Sequence, residues 1–113
     1  MSEKDRNHLL NILDSTRKIQ EFILGIPNAD AFFDDEKTFD AVLMNFVIIG
    51  ETIARLSESL KIVHTKVPWR RIIDFRNVIA HDYFGLDAEE VWQIIHNNLP
   101  VFIQDLNGML QSD

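Results

Sequence analysis

Four side chains that can do chemistry lie within one short segment of the sequence, residues 76–83. They are Arg76, Asn77, His81 and Tyr83, and Tyr83 is the only tyrosine of the chain. Arginine offers a planar, permanently charged fork that suits a phosphate group, and histidine, with an ordinary pKa of about 6.5, can transfer a proton near neutral pH. Together they suffice for metal-independent RNA cleavage, in which a base helps the 2′-hydroxyl to attack the adjacent phosphorus. DNA lacks that hydroxyl.

The helical positions of these residues decide whether they can act together. On a straight helix Arg76 and Tyr83 lie on one side, while Asn77 and His81 stack on a face about 100 to 140° away. They converge if the helix ends near Ala80 and swings His81 and Tyr83 round, or if a second copy of the segment faces the first across a dimer axis. In a symmetric dimer, one His81 would act as base and the other as acid.

Each of these side chains also has an ordinary structural explanation. A histidine near the C-terminal end of a helix suits the helix dipole in its cationic form. Arg76 could pair only with Asp74 or Asp82, and Tyr83 could simply bury its ring and bond its hydroxyl. The four residue types alone therefore leave a structural role open.

Helices must position this segment, because apolar residues recur at steps of three and four almost throughout the chain. We predict a first helix from about Lys4 to Leu24, closed by Gly25 and Pro27, and then a short helical turn capped by Asn28. A second long helix is predicted to begin at residues 34–36 and to run unbroken to residue 63. Its apolar stripe consists of Val42, Phe46, Ile49, Ile53, Leu56, Leu60 and Val63.

Gly50 lies on a second apolar stripe of this helix. A glycine inside a helix costs about 1 kcal/mol relative to alanine unless a close backbone approach offsets the loss. With two apolar faces, the second helix is expected to be central and to supply part of a subunit contact.

A third helix is predicted to start at Pro68 and to end between Ala80 and Tyr83, with Gly85 just beyond as a left-handed terminating residue. The fourth helix begins after a capping pair, Asp87 and Glu90, and is expected to run through Met109 with a kink at Pro100. These elements predict an all-α fold, an up-and-down four-helix bundle with one short extra helical turn, in a single domain spanning residues 1–113.

Composition excludes several other functions. The chain has 113 residues and no cysteine, which rules out disulfides, thiolate metal sites and a cysteine nucleophile and favours a cytoplasmic setting. No signal peptide or membrane-spanning segment is expected, and neither is a metal or cofactor site. The net charge of −7 opposes broad attraction to nucleic acid. RNA capture would then depend on a few residues such as Arg70, Arg71 and Arg76.

Arg76-Asn77-x-x-x-His81-x-Tyr83 resembles the R-x4-H-x-Y signature of the HEPN superfamily, and the flanking segments resemble its HepT branch of small toxins. The similar segments are Ile48-Ile49-Gly50-Glu51, Pro68-Trp69-Arg70, His81-Asp82-Tyr83-Phe84-Gly85, Val91-Trp92 and Asn98-Leu99-Pro100.

This resemblance implies a dimeric, HEPN-like ribonuclease encoded beside an MntA-type minimal nucleotidyltransferase antitoxin. Arg76 and His81 would carry RNA cleavage, Asn77 would assist, and Tyr83 would help to bind RNA and accept AMP from the antitoxin. An added adenylate would place bulk and negative charge where the substrate phosphate must enter.

A rival hypothesis is a non-catalytic helical module that binds a nucleotidyltransferase, with Arg76 and His81 only contacting phosphate. The acidic balance of the chain favours this rival slightly. A third hypothesis is a structural dimer in which the motif only caps a helix.

Overall fold

A computed structural model of the chain describes residues 1–112, which are largely helical and contain no β-strand. The seven α-helices are α1 (Glu3–Phe22), α2 (Ala29–Asp34), α3 (Glu36–Ala54), α4 (Glu58–Val63), α5 (Trp69–His81), α6 (Ala88–Gln93) and α7 (Leu99–Gln111). A 3-10 turn, Tyr83–Gly85, precedes α6, and a π-helical segment, Ile94–Asn98, joins α6 to α7. The predicted all-α class is confirmed.

Helix α3 is central, as its two apolar faces predict. It packs against α1 and α5, and α1 also contacts α7. The short helices α2 and α6 pack together at one end of the bundle, where the rings of Phe32 and Trp92 lie 5.5 Å apart. Asn28 caps α2 as predicted, because its Oδ1 accepts from the N–H of Ala31 at 2.9 Å. Gly25 follows α1 with a φ of +81°, the left-handed conformation expected at that position.

The prediction of one unbroken second helix to residue 63 is wrong. The chain leaves α3 after Ala54 and re-enters a helix at Glu58, with Ser57 as the cap of α4. The buried carboxylate of Asp5 accepts hydrogen bonds from the Ser57 N–H at 3.0 Å and from the Ser57 hydroxyl at 2.5 Å. A bond between residues 52 positions apart holds this break, so helical periodicity could not reveal it.

The predicted fourth helix is also interrupted. The π-helical segment precedes Pro100, and the Leu99 N–H reaches back five residues to the carbonyl of Ile94. Pro100 then lies in the first turn of α7. The capping role of Asp87 is confirmed, since its Oδ1 accepts from the N–H of Glu89 at 2.9 Å.

Helix α5 begins one residue after Pro68, its cap, and ends at His81, within the predicted range. The prediction of a left-handed Gly85 is wrong, because Gly25 is the one described residue with a positive φ. Gly85 instead gives room to Asp82: a Cβ at Gly85 would lie 2.3 Å from the Asp82 Oδ2.

Candidate active site

The guanidinium of Arg76 is held between two polar partners. Its Nε donates to the Oδ1 of the neighbouring Asn77 at 2.9 Å, and its NH1 group donates to the carboxylate of Glu51 on α3. The Arg76 side chain is only 18% exposed, although Glu51 is 52% exposed. Arg76 and Asn77 are therefore brought together as a group with one fixed orientation.

Gly50 explains how Arg76 comes so close to α3. A Cβ at Gly50 would lie 2.4 Å from the Cβ of Arg76 and 2.7 Å from its Cγ, distances that real side chains do not tolerate. The stem of Arg76 thus occupies the space that any other residue at position 50 would need. The close approach expected to offset the cost of a mid-helix glycine is present.

His81 is the last residue of α5 and is exposed. No residue within 1–112 forms a hydrogen bond or ion pair with its ring in this structure. Because α5 stays helical through His81, the ring points about 140° away from Arg76 around the axis and lies about 7.5 Å further along it. One chain therefore does not bring Arg76 and His81 together.

Tyr83 leaves the helix and turns back towards α3. Its hydroxyl donates a hydrogen bond to the carboxylate of Asp40, and its ring packs edge-on against Phe39 at 6.1 Å and Phe84 at 5.9 Å. Burial first, and then the hydrogen bond to Asp40 and its negative charge, raise the pKa of Tyr83 well above its usual value. The phenol therefore stays neutral to a higher pH than that of an ordinary tyrosine.

The other two predicted substrate-binding residues lie away from Arg76. Arg70 is 88% exposed and pairs with Asp74 on its own helix at 3.2 Å. Arg71 is exposed and lines an apolar groove of about 390 Å³ between α5 and α7. Other residues that line this groove are Phe46, Phe75 and Phe102. The structure does not gather the three arginines into one basic patch.

Charge is separated along the molecule. Residues 28–40 and 82–93, which surround Tyr83, contain nine of the 18 carboxylates and only one of the 11 lysines and arginines, so they carry a formal charge of −8. The rest of the chain carries +1. The nine carboxylates are all exposed: Asp30, Asp34, Asp35, Glu36, Asp40, Asp82, Asp87, Glu89 and Glu90. We call this part of the surface the acidic end.

Asp40 and Glu51 are two further residues of the site, and neither is among the residues predicted from the sequence. Glu51 belongs to the segment Ile48-Ile49-Gly50-Glu51, which resembles the family. The two carboxylates are eleven residues apart, which places them on one face of α3. The spacing of Asp40 and Glu51 is visible in the sequence, but their contacts with Tyr83 and Arg76 are not.

Within residues 1–112, no group of three histidine, aspartate or glutamate side chains is arranged to hold a metal ion. None of the helices there has the length and apolar character needed to cross a membrane.

Comparison with known proteins identifies relatives over almost the whole chain. A family model described as "Ribonuclease HepT-like" matches residues 12–109. A Methanocaldococcus jannaschii protein named as a candidate RNase is 31% identical over 112 residues, which are 98% of this chain and 92% of the relative. A Thermococcus cleftensis protein named as a probable ribonuclease HepT is 31% identical over 100 residues, or 88% and 90% of the two chains.

A third relative, from Caldanaerobacter subterraneus subsp. tengcongensis and also named as a candidate RNase, is 30% identical over 108 residues, or 96% of each chain. No solved structure gives a significant match.

Proposed function

The chain belongs to the HepT-like ribonuclease family, and from this premise we propose that it is a metal-independent endoribonuclease, the toxin of a two-gene toxin–antitoxin pair. The observation that carries this proposal is the motif in its structural setting. Arg76 is held as an oriented cation, and His81 is exposed with an unengaged imidazole at the end of the same helix.

The proposed reaction needs only these groups. The imidazole of one His81 accepts the proton of a ribose 2′-hydroxyl, whose oxygen attacks the adjacent phosphorus. The bond from phosphorus to the 5′-oxygen breaks, and a protonated His81 supplies a proton to that leaving oxygen. Arg76 stabilises the negative charge on the non-bridging oxygens, and Asn77 holds the guanidinium in place. The products are a cyclic phosphate and a 5′-hydroxyl.

A homodimer would complete this site. Arg76 and His81 diverge within one chain, so a second chain must supply the missing group. Apolar side chains on α3 and α5, the helices that meet at the motif, are left exposed, as expected for a subunit contact. They are Met44 (58%) and Ile48 (40%) on α3 and Val78 (49%) one turn before His81.

We further propose that an MntA-type nucleotidyltransferase neutralises the toxin by adding AMP to Tyr83. The acidic end supports a protein partner at this position, because its charge of −8 repels a phosphate backbone and suits a partner with a basic surface. Phe84, beside Tyr83, is 101% exposed and offers such a partner an apolar contact.

The test is RNA and DNA degradation by purified protein in the presence of EDTA and without the partner. We expect cleavage of RNA alone, lost in Arg76→Ala and His81→Ala. Arg17→Ala and His96→Ala are matched controls, because the hydrogen bonds of these exposed side chains go only to residues three or four positions away in the sequence. Circular dichroism and sedimentation would confirm that each variant is folded and assembled.

A parent protein that cleaves no RNA but binds the nucleotidyltransferase would instead support the rival function, a non-catalytic binding module. A folded, dimeric His81→Ala protein that cleaves RNA as well as the parent would contradict the proposed role of His81.

A further inference from the structure

Helix α3 presents two carboxylates to the motif, and each contacts a different motif residue. Asp40 accepts from the hydroxyl of Tyr83, and Glu51 accepts from the guanidinium of Arg76. Eleven residues separate them, about three turns, so they lie within about 20° on one face of α3 and roughly 16 Å apart along it. Nothing in the RNA cleavage or AMP transfer described above assigns either carboxylate a task.

We propose that these two carboxylates serve two separate reactions: Glu51 is a positioning residue for RNA cleavage, and Asp40 is the base that accepts the Tyr83 proton during AMP transfer. This inference rests on the proposed function and adds two residues to it.

The contacts of Arg76 support the role of Glu51. Glu51 and Asn77 engage the NH1 and Nε groups, while no residue within 1–112 engages NH2, which stays available for a phosphate oxygen. Gly50 lies in the same turn of α3 as Glu51 and packs against the aliphatic part of Arg76. This contact holds the Arg76 side chain close to α3. A guanidinium held in this way before substrate arrives loses little freedom when the transition state forms.

The contacts of Tyr83 support the role of Asp40. A neutral phenol is a weak nucleophile, and its proton already points at the Asp40 carboxylate. During transfer, that proton moves to Asp40 while the phenol oxygen bonds to the α-phosphorus of ATP. The bond from that phosphorus to the bridging oxygen breaks, and pyrophosphate leaves. Tyr83 gains AMP, and no further reactant is consumed.

The experiment compares Glu51→Ala, Glu51→Gln and Asp40→Asn in two assays. RNA cleavage is measured as kcat and KM for each purified variant. AMP transfer is measured as the rate of mass gain with ATP and a purified MntA-type nucleotidyltransferase. Thermal unfolding reports the stability of each variant.

Glu51→Ala is expected to lower the kcat of RNA cleavage about 100-fold with little change in KM, because the guanidinium loses its orientation. Glu51→Gln keeps an acceptor for NH1 and should recover part of that loss. Neither change should slow AMP transfer. Asp40→Asn keeps the hydrogen bond acceptor for Tyr83 but is no longer a base, so AMP transfer should slow by about 100-fold or more while RNA cleavage is retained.

Three results would overturn the inference. Equal losses in both assays that follow a lower Tm would show that the carboxylates are only structural. A lower KM with unchanged kcat in Glu51→Gln would show that Glu51 merely competes with phosphate. Unchanged AMP transfer in Asp40→Asn would remove its role as base. Failure of the proposed function itself is distinguishable, because then the parent protein would show no RNA cleavage or no mass gain.

Discussion

At the scale of single residues, the contact between Gly50 and Arg76 determines how Arg76 lies against α3. The β- and γ-carbons of Arg76 occupy the space where a side chain at position 50 would lie. A glycine at this position therefore lets the guanidinium take its place beside α3. The same α3 face reaches Tyr83 through Asp40, which adds to the effect of burial in raising the pKa of the phenol.

Gly50→Ala should therefore impair both stability and activity. Alanine gains up to about 1 kcal/mol of helix propensity, but overpacking costs typically about 1–3 kcal/mol. We expect a net loss of stability in urea unfolding and a lower kcat/KM for RNA. Gly108→Ala is the matched control, because a Cβ there meets nothing within 4 Å in α7. A more stable and fully active Gly50→Ala protein would contradict this account.

Tyr83 can be titrated alone, since it is the only tyrosine. Its raised pKa predicts that phenolate absorbance appears only above the ordinary pKa of about 10. In Asp40→Asn the transition should move down towards that value, because the negative charge beside the phenol is removed. The native state favours the neutral phenol, so this contribution to stability is complete below pH 10 and is lost as the pH rises through the folded-state pKa. Identical titration of parent and variant would show that Asp40 does not control the phenol.

At the scale of elements, the break between α3 and α4 depends on Asp5. Burial alone would raise the pKa of this carboxyl, but hydrogen bonds from Ser57 and Ser2 outweigh burial and lower the pKa below its usual value. A long-range bond from α1 thus holds Ser57, the residue that caps α4, at the break.

Asp5→Asn should destabilise the protein by about 1–3 kcal/mol at neutral pH, because two part-buried donors of Ser57 lose a charged acceptor. A lowered pKa adds stability above the unfolded-state value of about 3.9, and this contribution disappears as the pH falls through the folded-state value. Parent and variant should therefore converge in acid. Urea unfolding at neutral and acidic pH measures the difference, and an equal difference at both would show that the ionised carboxylate is not responsible.

At the scale of the whole molecule, the distribution of charge answers a difficulty raised by the sequence. A net charge of −7 opposes RNA binding by the chain as a whole, yet residues outside the acidic end carry a charge of +1. The acidic end surrounds Tyr83, whereas Arg76 contacts α3 about three turns away. Partner docking is thereby assigned to the acidic end. Because His81 directly precedes that end in the sequence, AMP added to Tyr83 would still lie beside a residue proposed for RNA cleavage.

The proposed dimer predicts a specific assembly defect. Ile48→Asp places a charge on the exposed apolar face of α3, where the isolated chain can hydrate it. We expect a folded monomer by sedimentation, with loss of RNA cleavage, because Arg76 and His81 no longer meet across two chains. Ile62→Asp on α4 is the control, since Ile62 is also exposed, at 69%. A monomeric protein that cleaves RNA normally would contradict the composite site.

The sequence by itself determined the all-α class, most helix limits, the cap at Asn28, the closure of α1 before Gly25 and the segment that carries the motif. These features depend on the periodicity of apolar residues and on side chains that interact with residues only a few positions away. The local sequence is therefore enough to predict them. The motif also identified the family, because residue types and spacing are properties of the sequence.

Only the tertiary structure decided the rest. The break at Ser57, the space for Arg76 over Gly50 and the contacts of Asp40 and Glu51 all join residues 25 to 52 positions apart. Such pairs are fixed by how helices pack, and many packings satisfy the same apolar pattern. The structure also showed that Arg76 and His81 diverge in one chain, because α5 stays helical through His81.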